Sequence, residues 1–292
     1  FHYRKKMEVP AVEQEYKVYA GIVTYNPDLK VLAKNIFAVA EQVEQIVIFD
    51  NGSQNQKKLQ QMLSDQKNVS MLCSISNEGI AYALNRLMEW GEQKNYWAML
   101  TLDQDSVCSF NHVEELSEIL KKESKAAVAA PTIQDQIVGA VGHEIKKGYR
   151  QVRTCISSGM IARIDCWRKV GGYDEYLFID SVDFDFCYNL RKHGYFILQS
   201  ADTILQHRLG NSKKYRCLFW NVTVMGHSAF RKYYIARNNI YYPMKYKNIP
   251  MVFRGNLRNA GLIFLILLYE NDKRNKIRAV VKGWCDGWKK RR

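Results

Sequence analysis

The sequence lacks the motifs that most often identify a nucleotide-binding or metal-binding protein. It contains no Gly-x-Gly-x-x-Gly and no Gly-x-x-x-x-Gly-Lys, which excludes a dinucleotide fingerprint and a P-loop. Its seven cysteines include no Cys-x-x-Cys pair. Disulfides and a thiolate zinc site are therefore not expected, and a reducing cytoplasm is the simplest location. The short basic start has no apolar run behind it, so we expect no signal peptide.

A long apolar run is also missing. Ala260–Tyr269 is apolar for ten residues, about half of the roughly 20 that a membrane span needs, so it predicts a core or interfacial segment. Acidic residues are scarce relative to basic ones, and the net charge is +14. Half of that excess lies in residues 271–292, which hold nine Lys or Arg and two Asp. This asymmetry favours an anionic partner surface.

What is present in the first third is a repeated strand-and-helix pattern. Apolar runs of strand length alternate with helical spacing over Leu29–Ala40, 57–64 and 80–90, which predicts a parallel sheet with right-handed crossovers. The predicted strands are Lys17–Thr24, Gln45–Phe49, Val69–Ile75 and Tyr96–Leu102. Each is followed by a polar or glycine-containing turn, and these four turns should lie along one edge of the sheet.

Two carboxylates follow the fourth strand. Asp103 and Asp105 are one residue apart and lie on the same side if the chain stays extended. Hard oxygen ligands at a strand's carboxyl end suit a divalent cation that carries a phosphate. The alternative is a simple turn that ends the strand.

The middle of the chain offers a second group of acids and a histidine. The pattern predicts a helix over Val113–Lys122, a strand over Ala126–Ala130 that ends at Pro131, an apolar stretch over Thr154–Arg163 and a strand over 195–206. Residues 180–185 contain three aspartates, and His207 follows the last strand. A cation bound there would make a diphosphate a better leaving group, and one carboxylate could serve as general base toward a hydroxyl.

An ordered set of short motifs carries a family resemblance. They are Ile22-Val23-Thr24-Tyr25-Asn26-Pro27, Val47-Ile48-Phe49-Asp50-Asn51-Gly52-Ser53, Asn77-Glu78-Gly79-Ile80-Ala81, Leu102-Asp103-Gln104-Asp105-Ser106, Ser157-Ser158-Gly159, Gly171-Gly172-Tyr173-Asp174-Glu175, Leu177-Phe178-Ile179-Asp180-Ser181-Val182-Asp183 and His207-Arg208-Leu209-Gly210-Asn211-Ser212. In this order the chain resembles an inverting family 2 glycosyltransferase of the bacterial rhamnosyltransferase branch, which uses dTDP-rhamnose. The resemblance implies a glycosyltransferase A fold, an α/β architecture with a Rossmann-like, mostly parallel sheet flanked by helices, and a helical C-terminal region.

The resemblance also implies a donor site. Thr24 and Asp50 would hold the nucleobase, and Asn77 and Gly79 would shape the nucleotide pocket. Asp103 would face the ribose or the metal shell.

The resemblance further implies a metal and a base. Asp105 and His207 would ligate Mg²⁺ or Mn²⁺, and Asp183 would deprotonate the acceptor hydroxyl. Asp180 and Ser158 would support this site or contact the acceptor.

One departure from the family pattern concerns a positive charge at the diphosphate. Leu84 stands where many members have an arginine that contacts the diphosphate, a role that could move to Arg86. Arg237, in an Arg-Asn pair after two tyrosines, is a second candidate for a diphosphate or acceptor contact.

The expected domains are an N-terminal extension (1–16), a catalytic domain (17–227) and a C-terminal region (228–292). The catalytic domain divides into a nucleotide-binding half, about 17–106, and an acceptor-binding half, about 107–227. In the C-terminal region apolar residues at helical spacing face one side and basic residues the others, which is typical of a helix lying on an anionic membrane. They are Ile277, Val280, Val281, Trp284 and Trp288. The alternative is a helix packed on the domain with a solvated basic side.

The expected partners are dTDP-rhamnose, a glycan acceptor on a polyprenyl diphosphate and the inner face of the cell membrane, where the protein would be peripheral. Two alternatives stay open: a UDP-hexose donor on the same fold, and a non-catalytic nucleotide- or membrane-binding scaffold. Nucleic acid is not expected, because acids on the same sheet edge would repel its phosphates.

Overall fold

The computed structural model describes residues 16–135, 139–141, 145, 147–207, 213–217, 220–224 and 226–289. Twelve strands are described: β1 Val18–Thr24, β2 Ile46–Asp50, β3 Val69–Cys73, β4 Ala98–Asp103, β5 Val107–Cys108, β6 Ala126–Asp135, β7 Gly139–Val141, β8 Tyr149–Val152, β9 Ile161–Arg163, β10 Phe196–His207, β11 Lys213–Cys217 and β12 Trp220–Val224. The described α-helices are α1 Leu29–Ala40, α2 Gln56–Leu63, α3 Ile80–Gln93, α4 His112–Lys122, α5 Ile164–Val170, α6 Val182–Lys192, α7 Ala229–Lys245, α8 Ile249–Tyr269 and α9 Lys273–Lys289.

The first four strands form the parallel unit that the sequence predicts. They stand in the order β3-β2-β1-β4, and every pairing among them is parallel. The connecting helices begin where local chemistry favours them: the Asp28 carboxylate accepts hydrogen bonds from the N–H groups of Lys30 and Val31 at the start of α1. The carboxyl ends of the four strands lie at one edge, which confirms the predicted clustering of their turns.

Beyond β4 the sheet becomes mixed. β9 lies between β4 and β6 and is antiparallel to both. The predicted apolar stretch Thr154–Arg163 therefore contains only a three-residue strand, and the residues before it form a turn against β4.

Pro131 does not end its strand, so that prediction was wrong. β6 continues to Asp135, and its register with β10 shifts between the pairs Ala130–Gln199 and Thr132–Ile204. The missing N–H of proline thus falls where the hydrogen-bond ladder is already interrupted, which is a place where strands tolerate it.

Both faces of the sheet are covered, and this explains why β1 is buried along its whole length. Tyr19 and Val23 point to the layer that contains α3, α5 and α6. The alternate side chains, Ala20 and Ile22, point to the layer that contains α1, α2 and α4. The sheet edge formed by the carboxyl ends of β1 to β4 is therefore held between two packed layers of helices.

The C-terminal helices pack on one another, and α9 is not a free tail. Its Gly283 and Gly287 lie so close to α7 that a Cβ atom would come within 2.1 Å of the Tyr233 carbonyl oxygen and 2.6 Å of the Arg237 carbonyl oxygen. Val280 is fully buried, and the Trp284 indole N–H donates to Asn256 Oδ1 at 2.7 Å. The alternative interpretation, a helix packed on the domain, describes α9.

The apolar exposed face belongs to α8 instead. This helix has 21 residues and includes the segment Ala260–Tyr269. Among the described residues it is the one helix long and apolar enough to cross a membrane, with a mean hydropathy of 1.4 over its most apolar stretch. By length and composition alone this is weak evidence for a span, because the core helices of water-soluble proteins meet the same criterion.

Candidate functional site

Thr24 and Asp50 lie side by side at the ends of β1 and β2. The Thr24 hydroxyl donates to Asp50 Oδ1 at 3.1 Å, and both side chains are fully buried. Asp50 also accepts hydrogen bonds from the Ser53 backbone N–H and hydroxyl and from the Gln56 amide. Four donors therefore already occupy the Asp50 carboxylate, and a nucleobase N–H would have to displace one of them.

Asn77 and Gly79 shape the turn that leads into α3. The Asn77 side-chain oxygen accepts from Asn51 Nδ2 at 3.1 Å and from the Gly79 N–H at 3.0 Å. Gly79 has φ +92°, and a Cβ atom there would come within 2.7 Å of the Phe178 ring. Glycine is required by both features. The turn predicted to line the nucleotide pocket thus packs directly against the loop that precedes Asp183.

Asp103 and Asp105 lie at the end of β4 and differ in exposure. Asp103 is partly buried, and its backbone N–H donates to the Ser158 hydroxyl at 3.1 Å. Ser158 in turn donates to the Ser106 hydroxyl at 2.8 Å, so it fixes both ends of the acidic turn. Asp105 is exposed and has no hydrogen-bond or ion-pair partner among the described residues.

The three aspartates of residues 180–185 occupy different environments. Asp180 accepts hydrogen bonds from two guanidinium nitrogens of Arg231, from Nη2 at 2.9 Å and from Nε at 3.1 Å. Asp185 is buried and pairs with the Lys245 ammonium at 2.8 Å. Both cationic partners come from α7, and the remaining aspartate, Asp183, lies in the first turn of α6.

Asp183 has the charge environment expected of a general base. Burial raises the pKa of Asp183 from its ordinary 3.8 to about 6. Hydrogen bonds from Ser157 act in the opposite direction, and the negative charges of Asp103 and Asp180 add to the rise. Because Asp103 and Asp183 influence each other, the structure brings the predicted base and the acidic turn of β4 to one place.

The loop before Asp183 has an unusual backbone. Phe178, Asp180 and Ser181 all have φ between 60° and 64°, in the left-handed region that residues other than glycine seldom adopt. The Asn238 side-chain amide of α7 donates to the carbonyl oxygens of Leu177, Ile179 and Asp180 at 2.8 to 2.9 Å. Asn238 therefore stabilises the conformation that presents Asp183.

The sequence did not predict the roles of Asn238, Arg231 and Ser157 in holding the site, although Asn238 and Ser157 stand in motifs that it singled out. Asn238 left one signal, since it is a polar residue inside an aromatic, otherwise well-packed helix segment. Ser157 stands in the Ser157-Ser158-Gly159 motif, which gave it no role of its own, and Arg231 left no signal because its partner Asp180 is distant in the chain.

Arg86 and Arg237, the two candidate diphosphate contacts, are engaged elsewhere. Arg86 pairs with Glu89 and lies 3.6 Å from Glu175. Arg237 is buried, donates to the Tyr176 carbonyl oxygen and lies with its guanidinium carbon 4.2 Å from the centre of the Tyr176 ring. Neither arginine has a described contact with Asp50, Asp103 or Asp105.

The predicted metal ligands are described only in part. His207 ends β10, but its side chain lies outside the described residues. The described residues include no group of three or more His, Cys, Asp and Glu side chains able to hold a metal ion. Asp103 and Asp105 nevertheless supply the carboxylate oxygens that Mg²⁺ and Mn²⁺ prefer, and the charge of Asp103 also raises the pKa of Asp183. This donor set is compatible with a divalent cation.

Comparisons with known proteins identify the family and the fold. The sequence model of the family "Glycosyl transferase family 2" matches residues 19–164 of this chain. The chain is 29% identical over 280 residues to the dTDP-rhamnosyl transferase RfbF of Shigella flexneri, an alignment that covers 91% of this chain and 92% of that protein.

Solved glycosyltransferase structures share the fold at low identity. S. aureus TarS 1–349 in complex with UDP-GlcNAc has a TM-score of 0.58 and 14% identity, over 91% of this chain and 80% of that one. GalNAc-T7 with UDP, GalNAc and Mn²⁺ has a TM-score of 0.59 and 16% identity, over 78% of this chain. The chain spans about half (48%) of the length of GalNAc-T7. The expected glycosyltransferase A fold is confirmed.

Proposed function

This chain belongs to glycosyltransferase family 2, and we propose that it transfers L-rhamnose from dTDP-rhamnose to a hydroxyl group of a glycan acceptor. The dTDP-rhamnosyl transferase that it resembles along nine-tenths of its length supports this donor. The acceptor is a glycan linked to a polyprenyl diphosphate, and the process is the assembly of a bacterial surface polysaccharide. The protein works from the cytoplasm, at the inner face of the cell membrane.

The observation that carries the proposal is the position of Asp183. A carboxyl group with a pKa of about 6 is mostly ionised at neutral pH and remains basic enough to accept a proton. In the proposed reaction Asp183 takes the proton of the acceptor hydroxyl while the hydroxyl oxygen forms a bond to the anomeric carbon of the donor. The bond from that carbon to the phosphate oxygen breaks, dTDP leaves with the electron pair, and the configuration inverts.

The other residues of the edge hold the donor. Asp105, with Asp103 and His207, would bind Mg²⁺ or Mn²⁺, which supplies positive charge for the leaving diphosphate. Thr24, Asp50, Asn77 and Gly79 form the floor of the nucleotide pocket. Ser158 keeps the acidic turn in position, and Asp180, fixed by Arg231, supports the loop of the base.

A donor screen tests the proposal. Release of nucleoside diphosphate is measured with dTDP-rhamnose, UDP-glucose and UDP-galactose, each with Mg²⁺, with Mn²⁺ or with EDTA. We expect turnover with dTDP-rhamnose that EDTA abolishes and that Asp105→Asn removes. Faster turnover with a UDP-hexose would overturn the donor assignment.

A non-catalytic scaffold is the alternative of another class. It predicts nucleotide or membrane binding without turnover of any donor, and it predicts that Asp183→Asn leaves biological activity unchanged. The raised pKa of Asp183 favours the enzyme, because a protein that only binds does not need a carboxylate that accepts a proton near neutral pH.

A further inference from the structure

A cavity adjoins the loop of the base on the side of the C-terminal helices. Its volume is about 490 Å³, within the range of small-molecule sites. Its walls include Asp180 and Phe184 from the base region, Tyr242 from α7, and Met251 and Arg258 from α8. Nothing so far assigned to the donor lines it. The cavity is therefore available for a second ligand next to the base.

Arg258 supplies an unneutralised positive charge at this cavity. It is exposed and has no hydrogen-bond or ion-pair partner among the described residues, unlike Arg231 and Arg237. A free guanidinium at the mouth of a cavity fits an anionic group such as a phosphate or diphosphate. The aromatic rings of Phe184 and Tyr242, together with Met251, offer the apolar surface on which a sugar ring or the first lipid unit can pack.

An exposed apolar face of α8 begins beside this charge. At 100° per residue, Arg258 and Arg254 lie between the cavity side of the helix and a stripe of large apolar side chains. These side chains are 49% to 72% exposed: Ile249, Phe253, Leu257, Phe264, Leu267 and Leu268. Cavity, basic band and apolar stripe thus follow one another around the same helix. This order matches the parts of an amphipathic molecule that has a sugar, an anionic linkage and a lipid chain.

We infer that this cavity binds the sugar of the acceptor and that α8 binds the lipid diphosphate to which the sugar is attached. The sugar lies in the cavity next to Asp180 and Phe184, the diphosphate pairs with Arg258, and the lipid chain lies along the apolar stripe. The inference rests on the proposed function for the identity of the sugar, but the lipid diphosphate site can be tested without any transfer.

The test uses farnesyl diphosphate as the probe, in the presence of saturating dTDP so that the nucleotide site is filled. Binding is measured by calorimetry for the full chain and compared with farnesol and with inorganic diphosphate. We expect farnesyl diphosphate to bind best, and Arg258→Ala to weaken it by about tenfold, the loss typical of a charge-assisted contact. Arg278→Ala is the matched control, because Arg278 is also exposed on a C-terminal helix and has no described partner.

A second pair of variants tests the lipid stripe. Phe264→Ser should weaken farnesyl diphosphate several-fold and leave inorganic diphosphate unchanged. Phe37→Ser, which removes an exposed phenyl ring from α1, should change neither. Unfolding temperatures of all variants confirm that the helices remain packed.

Three results would overturn the inference: equal losses in Arg258→Ala and Arg278→Ala, equal affinity for farnesol and farnesyl diphosphate, or loss of binding when dTDP is present. Failure of the proposed function looks different. In that case dTDP-rhamnose is not turned over, while farnesyl diphosphate still binds in a manner that depends on Arg258.

Discussion

The sheet edge and the interface between helices α7–α9 differ in whether their buried charges are neutralised. At the edge, like charges lie together, and the pKa of Asp183 is raised to about 6. Among the helices, Glu270 is buried between the ammonium groups of Lys232 and Lys276, at 2.5 and 2.8 Å. At the edge buried charge stays uncompensated, whereas the buried charges between the helices neutralise one another and hold the helices together. Changes at the edge should therefore affect turnover, and changes among the helices should affect stability.

The largest effect should come from Asp183→Asn. Loss of a general base typically costs between 10² and 10⁴ in rate, so we expect kcat to fall about 1,000-fold. Binding of dTDP, measured by calorimetry, should change little, and Asp65→Asn, at an exposed aspartate, serves as control. Retention of more than a tenth of the wild-type kcat would remove Asp183 from the base role.

Glu270→Gln should have the largest effect on stability. It leaves two buried ammonium groups without a counter-charge, which should lower the free energy of unfolding by about 3 kcal/mol in denaturant titrations. Burial opposes ionisation of Glu270, but hydrogen bonds from Lys232 and Lys276 bring its pKa below the ordinary 4.5. The wild type should therefore keep this stabilisation above pH 4.5 and lose it as the pH falls further, whereas Glu270→Gln should lack that acid-dependent loss.

Asn238→Ala should connect the two regions, because this α7 residue holds the loop of the base. Its removal leaves three carbonyl oxygens without their donor, at a cost of about 2 kcal/mol in unfolding. We expect kcat to fall by at least tenfold while the KM for the donor changes less. Asn256→Ala, which removes a contact between α8 and α9, should destabilise without a comparable loss of kcat. Equal loss of kcat in both variants would contradict a positioning role.

The smallest effect is a shift in pH dependence. The base must be ionised, so kcat/KM should fall tenfold per pH unit below a pKa near 6. Ser157 hydrogen bonds lower the pKa of Asp183. Ser157→Ala should therefore move this acidic limb to higher pH, by a fraction of a unit. A limb that stays in place, or moves to lower pH, would show that the profile reports another group.

The sequence predicted the edge well because its signals are local. A strand is recognised by its period and by the turn that follows it, and parallel order then places Thr24, Asp50, Asn77 and Asp103 at one edge. The same local reasoning failed at Pro131, where a distant partner strand accommodates the missing N–H. It also failed to choose between two orientations of α9, since a stripe of apolar residues fits a membrane and a protein surface equally well.

The amino-acid sequence by itself determined the order of strands and helices, the edge where the acids gather and the motifs of the family. The family resemblance already pointed to Asp183, but only the tertiary structure showed how its environment differs from those of Asp180 and Asp185, and which C-terminal helix exposes an apolar face. The physical reason is the range of the contacts. Asp180 and Asp185 receive their cations from Arg231 and Lys245, which lie 51 and 60 residues further along the chain. Such pairings leave no periodicity in the sequence, whereas a strand and its turn leave one within ten residues.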